Sequence, residues 1–212
     1  MSYPRTVFTS GADAQSALAN TLTNQGFTLD ADFSLAGGET ALVQNMAVDK
    51  YQTMSPAAGA TGGTGTIVKT SVSTEGGIIT TRYLIDLTGL AAGGAGAIIG
   101  KAAATPVAYF GQITAAINGT IRGGRMICFE APAGGDADID LYAATEATGV
   151  YNTAITDLAE VQVINGGTQT LGAVSVAIAD SAAANKYLYL VSVGATAAAY
   201  TAGRVLIELY GV

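Results

Sequence analysis

The chain has 212 residues, of which 50% are hydrophobic, 28 are glycine and only 12% are charged, with a formal net charge of −7 at pH 7. This composition provides enough apolar material for a buried core. The clustered basic residues that nucleic-acid binding needs are missing. It contains no histidine and no tryptophan, and Cys128 is its one cysteine, which excludes a Ser-His-Asp triad, a Cys-His dyad, a histidine-based zinc site and an intrachain disulfide. We therefore expect a non-enzymatic structural or binding protein that uses no cofactor and binds no nucleic acid.

Residues 1–65 differ in composition from the rest of the chain. Ser10 precedes an alanine-rich segment, residues 13–20, which predicts a short capped helix. Residues 56–65 read PAAGATGGTG, a composition typical of a flexible linker. We interpret residues 1–65 as an N-terminal arm with a Gly-rich linker, and residues 66–212 as the folded domain.

Membrane and export signals are not recognised in the sequence. Residues 1–11 lack the apolar segment of a signal peptide. The longest weakly polar stretch, residues 89–100, is rich in glycine and alanine and too short to span a bilayer. We expect synthesis in the cytoplasm and no membrane contact.

From Thr66 onward, short runs rich in β-branched and aromatic residues alternate with glycine, asparagine and aspartate. Turn residues recur about every ten positions, a spacing typical of sandwiches and jelly rolls. We predict an all-β fold, an antiparallel β-sandwich or jelly-roll-like domain preceded by the N-terminal arm. The predicted strands are residues 66–73, 78–87, 108–117, 121 with 125–131, 139–143, 160–164, 173–178, 187–193 and 204–210.

Two glycine-containing pairs mark predicted tight turns. Gly76 and Gly77 separate the first two strands. Asn118 and Gly119 follow the predicted strand over residues 108–117, and both residue types accept a positive φ at low cost. The sequence therefore predicts a hairpin at Asn118-Gly119, with the next strand as its return strand.

Asp136, Asp138 and Asp140 form the densest acidic segment and are the one candidate metal cluster that we identify. Ile139 and Leu141 alternate with these carboxylates, so we expect the apolar side chains to face inward and the carboxylates outward. A calcium loop of the EF-hand type starting at Asp136 would need glycine sixth and glutamate twelfth, and the chain has leucine and alanine there. We expect a solvated or salt-bridged strand face; a calcium site of another type is the alternative.

Two other kinds of ligand site can be considered from the sequence. The glycine-rich segment over residues 94–101 lacks the spacing of a P-loop or a dinucleotide-binding turn, so we interpret it as a loop. The tyrosines of the last strands could line a carbohydrate groove, although aromatic residues in strands more often pack in a core. These tyrosines are Tyr187, Tyr189, Tyr200 and Tyr210.

Four segments toward the C-terminal end carry a resemblance. Residues 130–142 read EAPAGGDADIDLY, residues 144–151 read ATEATGVY, residues 185–193 read NKYLYLVSV, and residues 200–210 read YTAGRVLIELY. Together, over residues 125–212, they resemble virion structural proteins of tailed bacteriophages, especially marine and cyanobacterial ones. The resemblance implies a β-sandwich subunit displayed on a capsid as a decoration or cement protein, without catalytic residues.

The expected function is that of a non-enzymatic virion protein that binds and stabilises the outer surface of a phage head shell. The expected partners are the major capsid protein and further copies of the chain, in a homotrimer, and the N-terminal arm is expected to supply much of the contact. The expected location is the capsid surface, after synthesis in the host cytoplasm. The alternative is a tail- or fibre-associated adhesion module that binds host-surface glycans.

Overall fold

The structure of the chain is a computed structural model that describes residues 55–102, 105–176 and 185–212. The predicted arm as far as residue 54, with the helix expected over residues 13–20, lies outside these described residues. Within the described residues, no helix is long and apolar enough to cross a membrane.

The fold is an antiparallel β-sandwich of two five-stranded sheets, which confirms the predicted all-β fold class. In spatial order, sheet I consists of β1 (Ile67–Glu75), β2 (Ile78–Asp86), β10 (Ala202–Gly211), β5 (Ile121–Ala133) and β8 (Val174–Val176). Sheet II consists of β3 (Ala97–Ile98), β9 (Tyr187–Ser192), β6 (Ile139–Ala144) and β7 (Glu160–Ile164), with β4 (Gly111–Gln112) also paired to β9.

β1 and β2 form a hairpin whose register pairs Glu75 with Ile78. The two residues between them, Gly76 and Gly77, have φ angles of +57° and +84°. Positive φ at both central residues suits the right-handed twist of the flanking strands, and glycine adopts it without a steric penalty. The predicted turn at Gly76-Gly77 is therefore confirmed.

The main core lies between the two sheets and is built from alternate residues of each strand, as the two-residue period of a strand requires. Cys128, on β5, is buried as well, and burial raises the pKa of its thiol. The inward side chains of sheet I include Tyr83, Ile85, Met126, Val205, Ile207 and Leu209, and those of sheet II include Ile139, Leu141, Val163, Leu188 and Leu190.

The opposite face of sheet II is buried too, by a second apolar cluster. Tyr189 and Val191 of β9 cluster there with Ile98 of β3, and Ala108 and Ile155 from the connections between the strands pack against them. Because these connections cover the sheet, its far face is not a solvent face. The sequence pattern predicted only the inner face.

Part of the predicted linker packs on the sandwich. Residues Ala58–Thr61 form one helical turn, α1, and the neighbouring Ala57 and Ala60 within it are 7% and 4% exposed. The Ala57 amide donates a hydrogen bond of 2.8 Å to the Tyr109 carbonyl oxygen. A Cβ atom at Gly59 would lie 2.3 Å from a backbone oxygen of the adjacent connection. The linker interpretation is wrong for this segment, because its small residues permit close packing.

The predicted hairpin at Asn118-Gly119 is also wrong. A helical turn, α2 (Ala115–Asn118), occupies the end of the predicted strand over residues 108–117, of which only β4 remains a strand. Gly119 does have a positive φ of 66°, but it ends this turn. β5 pairs with β10 and β8, whereas β4 pairs with β9 of the other sheet. The chain changes sheets here, which a local turn signal does not reveal.

Candidate functional site

The outer face of sheet I carries three rows of side chains that run across the strands. Directly paired residues of antiparallel strands lie on the same face of a sheet. Leu84 of β2 pairs with Leu206 of β10, which pairs in turn with Ile127 of β5. The residues on either side of these three are buried in the core, so the rows lie on the outer face. We call them rows A, B and C.

Row C consists of Arg82, Glu208 and Arg125, on β2, β10 and β5. Arg82 Nε lies 2.8 Å from Glu208 Oε1, and Arg125 Nε lies 2.6 Å from Glu208 Oε2. Tyr210 Oη donates a further hydrogen bond of 3.1 Å to Glu208 Oε2. The Glu208 side chain is only 6% exposed, whereas the two arginines are 43% and 48% exposed. A covered carboxylate thus holds two guanidinium groups in place at the surface.

The environment of Glu208 favours its charged form. Burial alone would raise the pKa of this carboxyl, but the hydrogen bonds from Arg82, Arg125 and Tyr210 outweigh burial and hold the pKa below its ordinary value. The arginines therefore have an ionised partner at neutral pH. Row C carries charges in the order plus, minus, plus.

Row A consists of Asp86, Arg204 and Glu130 on the same three strands. Arg204 Nε lies 3.0 Å from Asp86 Oδ2 and 3.7 Å from Glu130 Oε2. Asp86 Oδ1 accepts hydrogen bonds of 3.1 Å from the Thr88 amide and 2.6 Å from the Thr88 hydroxyl. Burial would raise the pKa of Asp86, but these hydrogen bonds and Arg204 lower it. Row A carries charges in the order minus, plus, minus.

Row B lies between the two charged rows and consists of Leu84, Leu206, Ile127 and Val174. Lys69 continues the row on β1. Near the β8 edge the surface becomes strongly apolar: Val174, Val176 and Phe129 are 56%, 72% and 53% exposed. Exposed apolar side chains gathered on one face commonly mark a contact surface for another protein.

A cleft of about 220 Å³ opens at the β1 side of the outer face. Its lining includes both charged and apolar side chains of rows A and B. The lining residues are Ile67, Lys69, Leu84, Asp86 and Arg204. This cleft continues the mixed apolar and charged character of the face.

These rows are not evident from the sequence, because their charged residues are scattered singly along the chain. A local signal was nevertheless present. Arg82 and Asp86 lie four residues apart on β2, and Arg204 and Glu208 lie four apart on β10. In β5 the corresponding pair is five apart, because the strand register shifts between Arg204 and Val205. Residues an even number of positions apart on a regular strand lie on the same face. The opposite charges four apart on both β2 and β10 therefore predict two charged rows.

The candidate metal cluster does not form a solvated strand face. Asp140 is 3% exposed; its Oδ1 accepts a hydrogen bond of 2.8 Å from the Gly166 amide, and its Oδ2 accepts one of 2.5 Å from Gln162 Nε2. Asp136 is 5% exposed, and its Oδ1 accepts a hydrogen bond of 3.0 Å from the Asp138 amide. The expectation of outward carboxylates is wrong for Asp136 and Asp140, because both are buried. Polar groups of the protein replace water around both Asp140 oxygens, whereas Asp136 Oδ2 has no hydrogen-bond partner among the described residues.

Asp138 is the more accessible member of the acidic segment. Burial raises the pKa of its carboxyl, and the charges of Asp140 and Asp136 add to the increase. Among the residues that the structure describes, no group of three or more acidic or cysteine side chains is arranged to hold a metal ion. The geometry gives Asp140 a structural role, as a link between β6 and the turn after β7.

The tyrosines considered for a carbohydrate groove do not come together. Tyr189 and Tyr200 are 0% and 1% exposed. Tyr189 Oη donates a hydrogen bond of 2.8 Å to the Glu146 carbonyl, and burial raises the pKa of Tyr189 to about 12. Tyr187 contacts the ring of Tyr109, with ring centroids 4.9 Å apart, whereas Tyr210 belongs to the outer face of the other sheet.

Comparisons with known proteins identify no relative of this chain. No family model, no curated protein and no solved structure matches the chain.

Proposed function

We propose that the chain is a non-enzymatic virion structural protein, a decoration or cement subunit that binds the outer surface of a phage head shell. Its partners are the major capsid protein and further copies of the chain itself. The resemblance of residues 125–212 to virion proteins of tailed phages supports this setting. The antiparallel sandwich agrees with the fold that this resemblance implies.

The observation that carries the proposal is the outer face of sheet I. Protein interfaces are enriched in arginine and in apolar side chains at the centre, with charged groups around them. Row B supplies the apolar centre, and rows A and C supply three partly exposed arginines beside it. This composition suits contact with another protein surface.

The face is also held rigid before any partner binds. Glu208 fixes Arg82 and Arg125, and Asp86 fixes Arg204. Side chains that are already ordered lose less conformational entropy on association. A subunit that stabilises a shell without catalysis benefits from such preorganisation.

The glycan-binding alternative lacks comparable support. It depended on four tyrosines, of which Tyr189 and Tyr200 are core residues. The two that remain, Tyr187 and Tyr210, belong to different sheets. These four tyrosines therefore do not form a shared platform for a sugar ring.

Electron cryomicroscopy of intact particles that contain this chain tests the proposal. We expect density for a sandwich of two five-stranded sheets on the outside of the head shell. Density only at the tail tip, together with binding to host glycans, would support the adhesion alternative. Purified particles that lack the chain altogether would contradict a virion role.

A further inference from the structure

We propose that the outer face of sheet I binds a second copy of the same chain across a two-fold axis that runs along row B. The inference rests on the proposed function only in treating this face as a protein-contact surface. It identifies the occupant of the face as the chain itself.

Strand register fixes the positions of the charges on this face. Rows A and C lie on opposite sides of row B, each two residues away along β2 and β10. A two-fold axis along row B turns the second copy over, so that its row C lies opposite row A of the first copy. Each strand then faces the same strand of the second copy, running in the opposite direction.

This arrangement matches opposite charges on all three charged strands. On β2, Asp86 faces Arg82 of the second copy; on β10, Arg204 faces Glu208; on β5, Glu130 faces Arg125. The symmetry repeats the three pairs, which gives six in the dimer. The alternation of minus, plus, minus in row A is the complement of plus, minus, plus in row C, strand by strand.

Other orientations lack this match. A two-fold axis parallel to the strands would place row A on row A, so that Arg204 meets Arg204 and Asp86 meets Glu130. Like charges brought together at an interface oppose association. The charge pattern therefore selects one relative orientation of the two copies.

Row B provides the apolar contact of the same interface. The two-fold axis places Leu84, Leu206, Ile127 and Val174 against the same residues of the second copy. Face-to-face sheets pack about 10 Å apart with interdigitated side chains, which suits leucine, isoleucine and valine. Lys69, on the edge strand β1, lies at the rim, where a long side chain reaches water.

The size of the face is at the lower end of the range for a stable dimer interface. Five strands about 4.8 Å apart, with strands of roughly nine residues at its centre, make a face on the order of 20 by 30 Å. Standard interfaces bury about 800 Å² per partner. Side chains that project from the outer face add to its flat area, so the surface that it can bury approaches this value.

Inversion of one row at a time tests the pairing and keeps the intramolecular alternation of charge. Arg82→Glu, Glu208→Arg and Arg125→Glu together invert row C. Asp86→Arg, Arg204→Glu and Glu130→Arg together invert row A. In either full-length variant, like charges face each other on all three strands, so we expect the dimer dissociation constant to rise at least about tenfold, measured by sedimentation equilibrium.

A mixture of the two variants provides the decisive measurement. The inverted row C of one variant complements the inverted row A of the other, so the mixture should form a heterodimer at concentrations where neither variant alone forms a homodimer. Circular dichroism first establishes that each variant is folded. A folded pair that fails to associate would overturn the proposed orientation.

A single surface variant keeps the test valid if the row inversions do not fold. Val174 is 56% exposed, and Val174→Lys would bring two lysines together on the two-fold axis, in the apolar surface at the β8 edge of the interface. The matched control is Val193→Lys, at a 40% exposed position after β9 of the other sheet. We expect Val174→Lys to weaken the dimer at least about tenfold and Val193→Lys to leave it unchanged.

The two proposals fail in different ways. A wild-type chain that is monomeric, or that forms a trimer insensitive to Val174→Lys, would overturn the two-fold pairing. Such a chain found on the head shell would still support the virion function. A dimer that obeys the row inversions but is absent from particles would support the pairing and contradict the function.

Discussion

Asn118 Nδ2 donates a hydrogen bond of 2.9 Å to Thr81 Oγ1, and both residues are fully buried. Asn118 Oδ1 accepts a second hydrogen bond, of 2.7 Å, from the Thr114 amide. One amide side chain therefore closes its own helical turn and joins that turn to β2. This role explains why a polar residue is retained inside the sandwich.

Replacing Asn118 by alanine should lower the free energy of unfolding by about 1–3 kcal/mol, because the Thr114 amide and the Thr81 hydroxyl would lose buried partners. Urea denaturation followed by circular dichroism measures the change. Thr120→Ala, at an exposed position two residues later, is the control and should change stability by less than about 0.5 kcal/mol. Equal stability of the Asn118 variant and the wild type would contradict this role.

Two buried tyrosines should respond differently to replacement by phenylalanine. Among the described residues, Tyr83 Oη has no hydrogen-bond partner, whereas Tyr200 Oη donates one of 2.8 Å to the Asp136 carbonyl. We expect Tyr83→Phe to be neutral or to stabilise the protein by up to about 1 kcal/mol, and Tyr200→Phe to cost about 1 kcal/mol. Thermal unfolding of both variants tests the contrast, and a larger loss for Tyr83→Phe would contradict it.

Row C should make stability depend on pH in the acidic range. The pKa of Glu208 is below its ordinary value of 4.5 in the folded chain, so the unfolded chain binds a proton first as the pH falls. The contribution of the ionised Glu208 is therefore complete above about pH 4.5 and is lost as the pH falls through the lower, folded-state pKa.

Glu208→Gln should therefore be less stable than the wild type at neutral pH, by about 1 kcal/mol, and the difference should shrink below about pH 4. Unfolding curves from pH 3 to 7 measure this trend. Glu75→Gln, at an exposed position beside the Gly76-Gly77 turn, should show no such difference. A constant deficit of the Glu208 variant across the range would show that its ionisation does not matter.

Millimolar Ca²⁺ should not raise the melting temperature. Both Asp140 oxygens already accept hydrogen bonds from Gly166 and Gln162, so they would have to give these up to bind a cation. Differential scanning calorimetry with and without Ca²⁺ makes the comparison. A large rise that Asp138→Ala abolishes would contradict the prediction.

Asp140 itself can be tested without metal. Asp140→Ala leaves the Gly166 amide and the Gln162 side chain without their acceptor, which should cost about 1–3 kcal/mol. Asp138→Ala, in the same segment, should cost less, because no side-chain hydrogen bond depends on its carboxylate among those described.

The strands of this sandwich are predictable because their signal is local. Alternation of apolar and polar residues places β7 at residues 160–164 from sequence alone, and the Gly76-Gly77 pair predicts the hairpin between β1 and β2. Asn118-Gly119 carries an equally strong turn signal and still does not form a hairpin. Its flanking segments find their partners, β9 and β10, far along the chain.

The candidate site is harder to predict because it depends on register. Arg82, Arg125 and Glu208 are separated by 43 and 83 residues in sequence and meet only when β10 pairs with both β2 and β5. Asp140 is difficult to predict for a different reason, because its local pattern is clear but indicates the wrong exposure. Its position in an alternating strand predicts a solvent-facing carboxylate, but the carboxylate is buried and accepts hydrogen bonds from Gln162 and Gly166.

The position of β10 also has a consequence for how the protein folds. β10 lies between β2 and β5, which do not pair with each other, so sheet I is two separate fragments until residues 202–211 have emerged from the ribosome. During synthesis, β2 and β5 each present an unpaired edge, a feature that promotes aggregation. Pairings between segments so distant in sequence also make folding slow. The central strand of the sheet is the last to arrive.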